Sequence, residues 1–367
     1  MVETVGKATR RGAFYRNRAC AGVGALACGI IGTMVAAGAI ASAQPRSLYS
    51  QSASVSLGKP DSWDYVEFDP SSGRVYVAHG DKVTVLNGKT GAILGQIDVA
   101  PGASHGIAIA HLDGRGYIGA GSARAVTVFD LASLKPVTTI PVEHFADGLA
   151  FEPASRRIFV AHADVGKLSV IDPATNRTVG SIDVGGTLEA LAAGADGKVY
   201  VAGAGNREVV RVDAMTNRVD ARWPIPGCKN PHGLAVDKST YRLFVSCDNR
   251  QLVVVDARRG TLIAALAIGR GSDAVAFDEV RRRAFSSNGV DGTISVIQER
   301  GANDFRLAGQ IATSRTARTL SVDPTSGRLF VPAAGQRSDP SRAAVIVPGS
   351  VKLMMFDPTE GTQKAQR

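Results

Sequence analysis

The stretch KLSVIDPATNRTVGSIDVGG, Lys167 to Gly186, decides the fold. It reads as a strand (LSVID), a turn built from Pro, Thr and Asn, and a second strand (VGSIDV). Versions of it recur along the chain. Aligning them gives seven copies that open at DYVEFDP (Asp64), HGIAIAH (His105), DGLAFEP (Asp147), EALAAGA (Glu189), HGLAVDK (His232), DAVAFDE (Asp273) and RTLSVDP (Arg318), spaced 41 to 45 residues apart. After its first strand each copy offers a turn such as SSGR or ADGK, then a second strand with an aromatic at a fixed place: Tyr76, Tyr117, Phe159, Tyr200, Phe244, Phe285 and Phe330. Third and fourth strands follow. Four short strands at this period predict an all-β fold, a seven-bladed β-propeller of four-stranded blades.

The blandness of Lys167–Gly186 is packing. A blade buries both faces against its neighbours, so small and β-branched residues fill the layers while Gly, Asn and Asp take the turns. The seventh copy ends at VKLMMFD with no fourth strand after it, and SASVSLG (Ser52 to Gly58) lies unused before the first copy. This N-terminal strand is expected to complete the last blade and close the ring, removing an exposed edge.

The first 43 residues differ in kind: five Lys/Arg and one acid precede an uncharged apolar run from Ala19 to Ala41, and ASAQ follows. That order is a secretory signal peptide with cleavage after Ala43. The run is also long enough for an uncleaved anchor, the only membrane contact expected. TRRGAF is a weak twin-arginine match, and Sec-type export to the periplasm is the expected route. The organisation read from the sequence is a signal peptide (1–43), a segment carrying the ring-closing strand (44–63), the propeller (64–357) and a C-terminal tail (358–367).

The chain carries a formal +9, of which about +5 remains after the leader. Mild basicity of that size calls for no nucleic-acid partner. The turns of one face collect arginines, Arg281 to Arg283 among them, and that face is expected to be basic. No aromatic stacking residues interleave with them, so no dedicated nucleic-acid site is expected.

The innermost strand of each blade should line the central channel, and the residues opening it are Asp64, His105, Asp147, Glu189, His232, Asp273 and Arg318. The residue three places later is small in six copies (Ala108, Ala150, Ala192, Ala235, Ala276, Ser321), which marks a narrow throat beneath a polar mouth. His79 and His162 end second strands and His144 precedes the third copy, so all three are expected on the mouth face, with His111 alone on the other. Four carboxylates and two imidazoles at one mouth suit a cationic ligand or a divalent metal, for which His105, His232 and Glu189 are the candidate ligands. Solvated polar groups, with Arg318 paired to its acidic neighbours, are the plainer reading.

Two cysteines remain after the leader, Cys228 and Cys247, in GCKNPHGLAVDKSTYRLFVSCDN. An exported protein with two cysteines suggests one disulfide. It would stabilise the fold by about 3 kcal/mol in the loop-entropy account. A thiolate pair beside His232 holding a soft metal is the alternative. The stretch Gly335 to Ser350 interrupts the seventh blade with a long loop expected over the mouth face.

VYVAHGDKVTVLNGKTGAILGQIDV, IFVAHADVGKLSVIDPATNRTVGSIDV and LFVSCDNRQLVVVDARRGTLIAALAIG resemble the YVTN-type β-propeller repeat proteins, which include bacterial periplasmic propellers of the YncE kind. The resemblance covers roughly Asp64 to Asp357, with YVAH, FVAH, YVAG and FVSC in place of the strict tetrad. The mouth residues themselves, with the resemblance implying the same, lead to the expectation of an exported, non-enzymatic propeller, a monomer, that binds a small molecule or a protein partner through the mouth face at Asp64, His79, His105, Asp147, His162, Glu189, His232, Asp273 and Arg318. The chain has no nucleophile elbow, phosphate-binding glycine loop or dinucleotide fingerprint. The competing class is a metal-dependent enzyme at the same mouth, similar to propeller lactonases and virginiamycin-B-type lyases, with a divalent metal as cofactor.

Overall fold

A computed structural model describes residues 47–359 apart from 101, 102, 195, 340 and 341. The expected signal peptide and the last residues of the tail therefore lie outside the described residues. Seven four-stranded antiparallel sheets follow one another as blades. The third, typical of the set, runs Leu149–Glu152, Arg157–His162, Lys167–Asp172 and Arg177–Asp183 from the channel outward. The opening stretch of sequence is thus the outer half of this blade.

The ring closes as the sequence predicts. Strand Tyr49–Gly58 pairs antiparallel with Val351–Pro358, which pairs with Leu329–Ala333 and then Ser321–Val322, so the first strand of the chain is the outermost of the last blade. At the seam the Thr319 hydroxyl donates to the Asp64 carbonyl at 2.7 Å and the Phe68 amide donates to Ser321 Oγ at 3.1 Å.

The core is divided between neighbouring blades. The fixed aromatics of the second strands, from Tyr76 to Phe330, are all at most 1% exposed. Apolar clusters join each blade to the next, as where Phe159 and Val170 of the third blade meet Val199 and Val210 of the fourth. A second repeat is ionic. The base at the entry to a second strand faces the Asp at or next to the end of the third strand beside it: Arg115–Asp130, Arg157–Asp172, Lys198–Asp213, Arg242–Asp256 and Arg328–Asp357.

Such pairing also engages the arginines of the face expected to be basic. Arg281 lies 3.1 Å from Asp278, Arg282 bridges Asp237 and Glu299, and Arg283 Nε donates to Gln298 at 2.9 Å. The arginines of RRR are spent on holding turns and blades together. The insertion in the seventh blade is also more regular than a loop: its backbone forms a two-stranded hairpin, Gln336–Asp339 with Arg342–Ile346.

Candidate functional site at the channel mouth

A backbone irregularity places the mouth residues. In the first blade the Asp64 amide donates to the Ala78 carbonyl and the Ala78 amide donates to the Tyr65 carbonyl, so two residues oppose one. Asp147 and Gly148 oppose Ala161 in the same way. Register shifts fall at the matching place in four more blades, between Ser104 and Ile107, Leu188 and Leu191, Pro231 and Leu234, and Ser272 and Val275. Each of these bulges contains a mouth residue: His105, Glu189, His232 or Asp273. A bulge re-aims a side chain that regular pleating would turn into a blade layer.

Glycine then draws the rings of residues together. A Cβ on Gly106 would lie 2.5 Å from the Leu149 backbone nitrogen, and one on Gly233 would lie 2.6 Å from the Val275 nitrogen. Only glycine lets these two innermost strands approach the next blade so closely. Both glycines follow a mouth histidine, so each imidazole is brought beside the acid of the following blade.

The result is an acid–histidine–acid arrangement made twice and closed by an arginine. His105 Nδ1 is 2.6 Å from Asp64 Oδ2 and 3.7 Å from Asp147 Oδ1. His232 Nδ1 is 3.4 Å from Glu189 Oε2 and 3.9 Å from Asp273 Oδ1, and its Nε2 is 3.1 Å from Asp248 Oδ1. Arg318 joins the two ends, 3.3 Å from Asp273 and 3.4 Å from Asp64.

Electrostatics follow from crowding. Burial pushes the Asp147 carboxyl up to about 7, with the nearby Asp64 charge adding to it and His105 opposing it. Burial also raises Asp273, against the pull of Arg318. Burial works against a charge on His105, but the hydrogen bond and charge of Asp64 and the charge of Asp147 overcome it and raise its affinity for a proton. His232 is raised chiefly by Glu189. The mouth is a proton-sharing ring rather than a row of independent charges.

Beneath the mouth, one blade narrows the channel, leaving a cavity of about 160 Å³. The positions just after the mouth residues are Gly106, Gly148, Ala190, Gly233, Ala274 and Thr319 in six blades but Tyr65 in the first, and where six blades have Ala or Ser the first has Glu67. The Tyr65 hydroxyl reaches across the lumen, 3.2 Å from where a Gly148 Cβ would stand. Burial and the surrounding carboxylates hold its proton well above the usual phenol range. Glu67 faces the open space of the throat, and enclosure by the surrounding blades, with the Asp69 charge adding to it, pushes its carboxyl up to about 8.

Not every expected site residue reaches the mouth. His79 and His162 are 0% and 1% exposed. His79 Nε2 is 2.7 Å from the Pro60 carbonyl, and His162 bonds the Phe145 carbonyl at 3.0 Å and Ser169 Oγ at 2.8 Å. Burial lowers the basicity of both. They are structural residues inside their blades. Their position, the end of the second strand, is filled elsewhere by Ala120, Gly203, Cys247, Asn288 and Ala333, and that column of small or buried residues was the available signal. His144 packs its ring against His162 at 5.7 Å.

The ligand set His105, His232 and Glu189 is likewise not assembled. Blade order separates His105 from the other two, and among the described residues the three groups that come within 4.8 Å of one another are Asp64, His105 and Asp147. Cys228 and Cys247 form the expected disulfide, with Cα atoms 5.4 Å apart. It holds the loop entering the fifth blade against the strand that delivers Asp248 to His232.

Sequence reasoning missed Asp248, Trp63 and Arg315. With His232, Asp273, Arg318 and Val290 they line a cleft of about 790 Å³ opening beside the mouth over the fifth to seventh blades. The three stand in loops and in the entry to the first blade, where no repeat column exposes them.

No family model and no curated protein matches this sequence. Among solved structures the chain is similar to the RRP9 WD40 repeats, with a TM-score of 0.70 at 15% identity over 82% of this chain and 96% of that one. It is similar to U3-55K, at 0.69 and 16% over 82% and 97%. Hydrazine synthase of Kuenenia stuttgartiensis gives 0.64 and 15% over 77% and 94%. The fold is a seven-bladed β-propeller. At such identities likeness carries the architecture alone, since propellers host unrelated functions.

Proposed function

We propose that this is an exported propeller, related to the YVTN-type repeat proteins, that acts as a binding protein and takes a small molecule or a protein partner on its channel-mouth face. The observation that carries the reading is the convergence of Asp64, His105, Asp147, Glu189, His232, Asp273 and Arg318 beside a cleft of about 790 Å³. Pockets of this size with a few convergent polar groups are the usual form of a ligand site. A signal-peptide pattern in the first 43 residues supports export to the periplasm. The fold family supplies a precedent in the WD40 repeats, whose architecture this chain shares.

The test is native mass spectrometry of the protein purified from the periplasm, beside Asp147→Asn and His232→Ala variants. A molecule or partner retained by the wild type and lost from folded variants is the expected result. Equal retention by all three proteins places binding elsewhere and ends this reading.

A second reading, a metal-dependent enzyme resembling propeller lactonases or lyases, is favoured by the closeness of Asp64, His105 and Asp147. Two carboxylates and an imidazole are ligands for a divalent cation. The fit is imperfect. Asp64 is engaged with His105 Nδ1 at 2.6 Å, and the Arg318 guanidinium stands 3.4 Å from its other oxygen, where it competes with a cation. Elemental analysis of the same preparation decides: a stoichiometric metal absent from Asp147→Asn supports the enzyme, and a metal-free wild type removes it.

A further inference from the structure

The charges lining the cleft, Asp61, Asp248 and Asp273 against Arg315, Arg318 and His232, come close to cancelling in sum but not in their pairing, which leaves one guanidinium over. Asp273 lies against Arg318 at 3.3 Å. Asp248 is engaged by His232 at 3.1 Å and by the Asn230 side-chain amide at 3.0 Å. Asp61 accepts the Gly349 backbone amide. Each carboxylate in the lining thus already has a hydrogen-bonded partner, a base for Asp273 and Asp248 and a backbone amide for Asp61. Arg318 is spent as well, on Asp273, Asp64 and the Trp63 carbonyl.

Arg315 is different. It lies in the loop between the sixth and seventh blades, is exposed to the cleft, and has no acidic partner among the described residues. The same cleft carries an apolar wall, Trp63 and Val290, the latter 53% exposed. A guanidinium presents a planar fork that fits a carboxylate through two parallel hydrogen bonds, and the partial enclosure of the cleft strengthens such a pair over one on open surface.

We propose that the cleft binds a small organic anion, a carboxylate carried on an apolar body, with the carboxylate on Arg315 and the body against Trp63 and Val290. This rests on the mouth face being the binding face and names the ligand class that face takes. It reverses the charge expected from the sequence, in which the acids of the ring suggested a cation. Those acids are occupied by His105, His232 and Arg318, so the ring is nearly self-neutralised and the unspent charge lies to one side of the axis.

The experiment uses 4-phenylbutyrate, its neutral amide and the corresponding primary amine as probes, titrated calorimetrically into the wild type, Arg315→Gln and Trp63→Ala. Thermal unfolding confirms that each variant is folded. The carboxylate is expected to bind at least roughly tenfold tighter than the amide and to lose that advantage in Arg315→Gln, as for loss of a charge-assisted hydrogen-bonded pair. Trp63→Ala is expected to weaken carboxylate and amide alike. Preference for the amine, or a carboxylate affinity unchanged in Arg315→Gln, overturns the anion assignment. If probes of any charge bind and are weakened by Trp63→Ala but not by Arg315→Gln, the face still binds ligands and only the anion assignment falls. If none of the probes binds the wild type, this inference fails, and the reading of the face is judged separately by what the periplasmic protein retains.

Discussion

The two histidine arrangements of the mouth share a backbone and differ in what surrounds it. On one side His105 sits tightly against Asp64 at 2.6 Å, with the Phe145 ring packed edge-on at 4.8 Å, and its side chain is 18% exposed. On the other, His232 is looser toward Glu189 and Asp273, gains a third carboxylate from Asp248, faces the cleft, and is 25% exposed. The bulge and the following glycine are common to both. The difference lies in the loops: Phe145, in the connection entering the third blade, covers one imidazole, and the disulfide-held loop leaves the other open. The repeat makes two equivalent places, and the loops turn one into a packed corner and the other into part of a binding cleft.

The largest effect expected from testing this comparison comes where the two sides are alike. Gly106→Val and Gly233→Val each force side-chain atoms into the backbone of the next blade, where even a Cβ has only 2.5 to 2.6 Å. Each should cost about 4 kcal/mol or more, on the scale of severe overpacking. Gly180→Ala, whose Cβ would meet its nearest neighbour at 3.6 Å, should be nearly neutral. Denaturant unfolding checks all three, and unequal costs at Gly106 and Gly233 break the equivalence.

Next comes a change to one side alone. Removing the disulfide with Cys228→Ser and Cys247→Ser should lower stability by about 3 kcal/mol, and probe binding in the cleft should weaken while the proton affinity of His105 is unchanged. Chemical denaturation and an imidazole titration of the double variant test both halves of that statement.

A smaller effect sharpens the packed side. Asp147 loses its proton near pH 4 when unfolded and at about 7 when folded, and His105 also holds its proton more tightly in the folded state. Both make the folded protein bind more protons than the unfolded chain. Stability therefore falls as pH rises from about 4 through 7. Asp147→Asn should flatten that slope and gain stability over the wild type at pH 8. A thermal-denaturation series from pH 4 to 8 that shows the same slope in both proteins contradicts the assignment.

The fold was legible because the signal was repeated. Seven aligned aromatics and seven polar openings leave little freedom, and the orphan strand before Asp64 had only one blade to complete. The mouth was legible for the same reason, whereas Tyr65 and Glu67, where one copy departs from six, stand out only once the channel is seen. The roles of the histidines were not. His79 and His105 are both histidines near strand ends, but one occupies a pleat position that points into its blade and the other a bulge that turns it outward, and period alone does not report a bulge. Arg315, Trp63 and Asp248 lie outside the repeated strands, so alignment of copies passes over them. Which guanidinium of the cleft is left without an acidic partner depends on which ion pairs form, a property of three-dimensional distance.

The most direct test of the account is a pH titration of the histidine ring carbons by NMR, assigned through single His→Gln variants. His105 and His232 are expected to titrate above the ordinary value of 6.5 and His79 and His162 below it. Four similar midpoints near 6.5, or a high midpoint for His79 or His162, would contradict the division of these histidines into a charged mouth and a neutral interior.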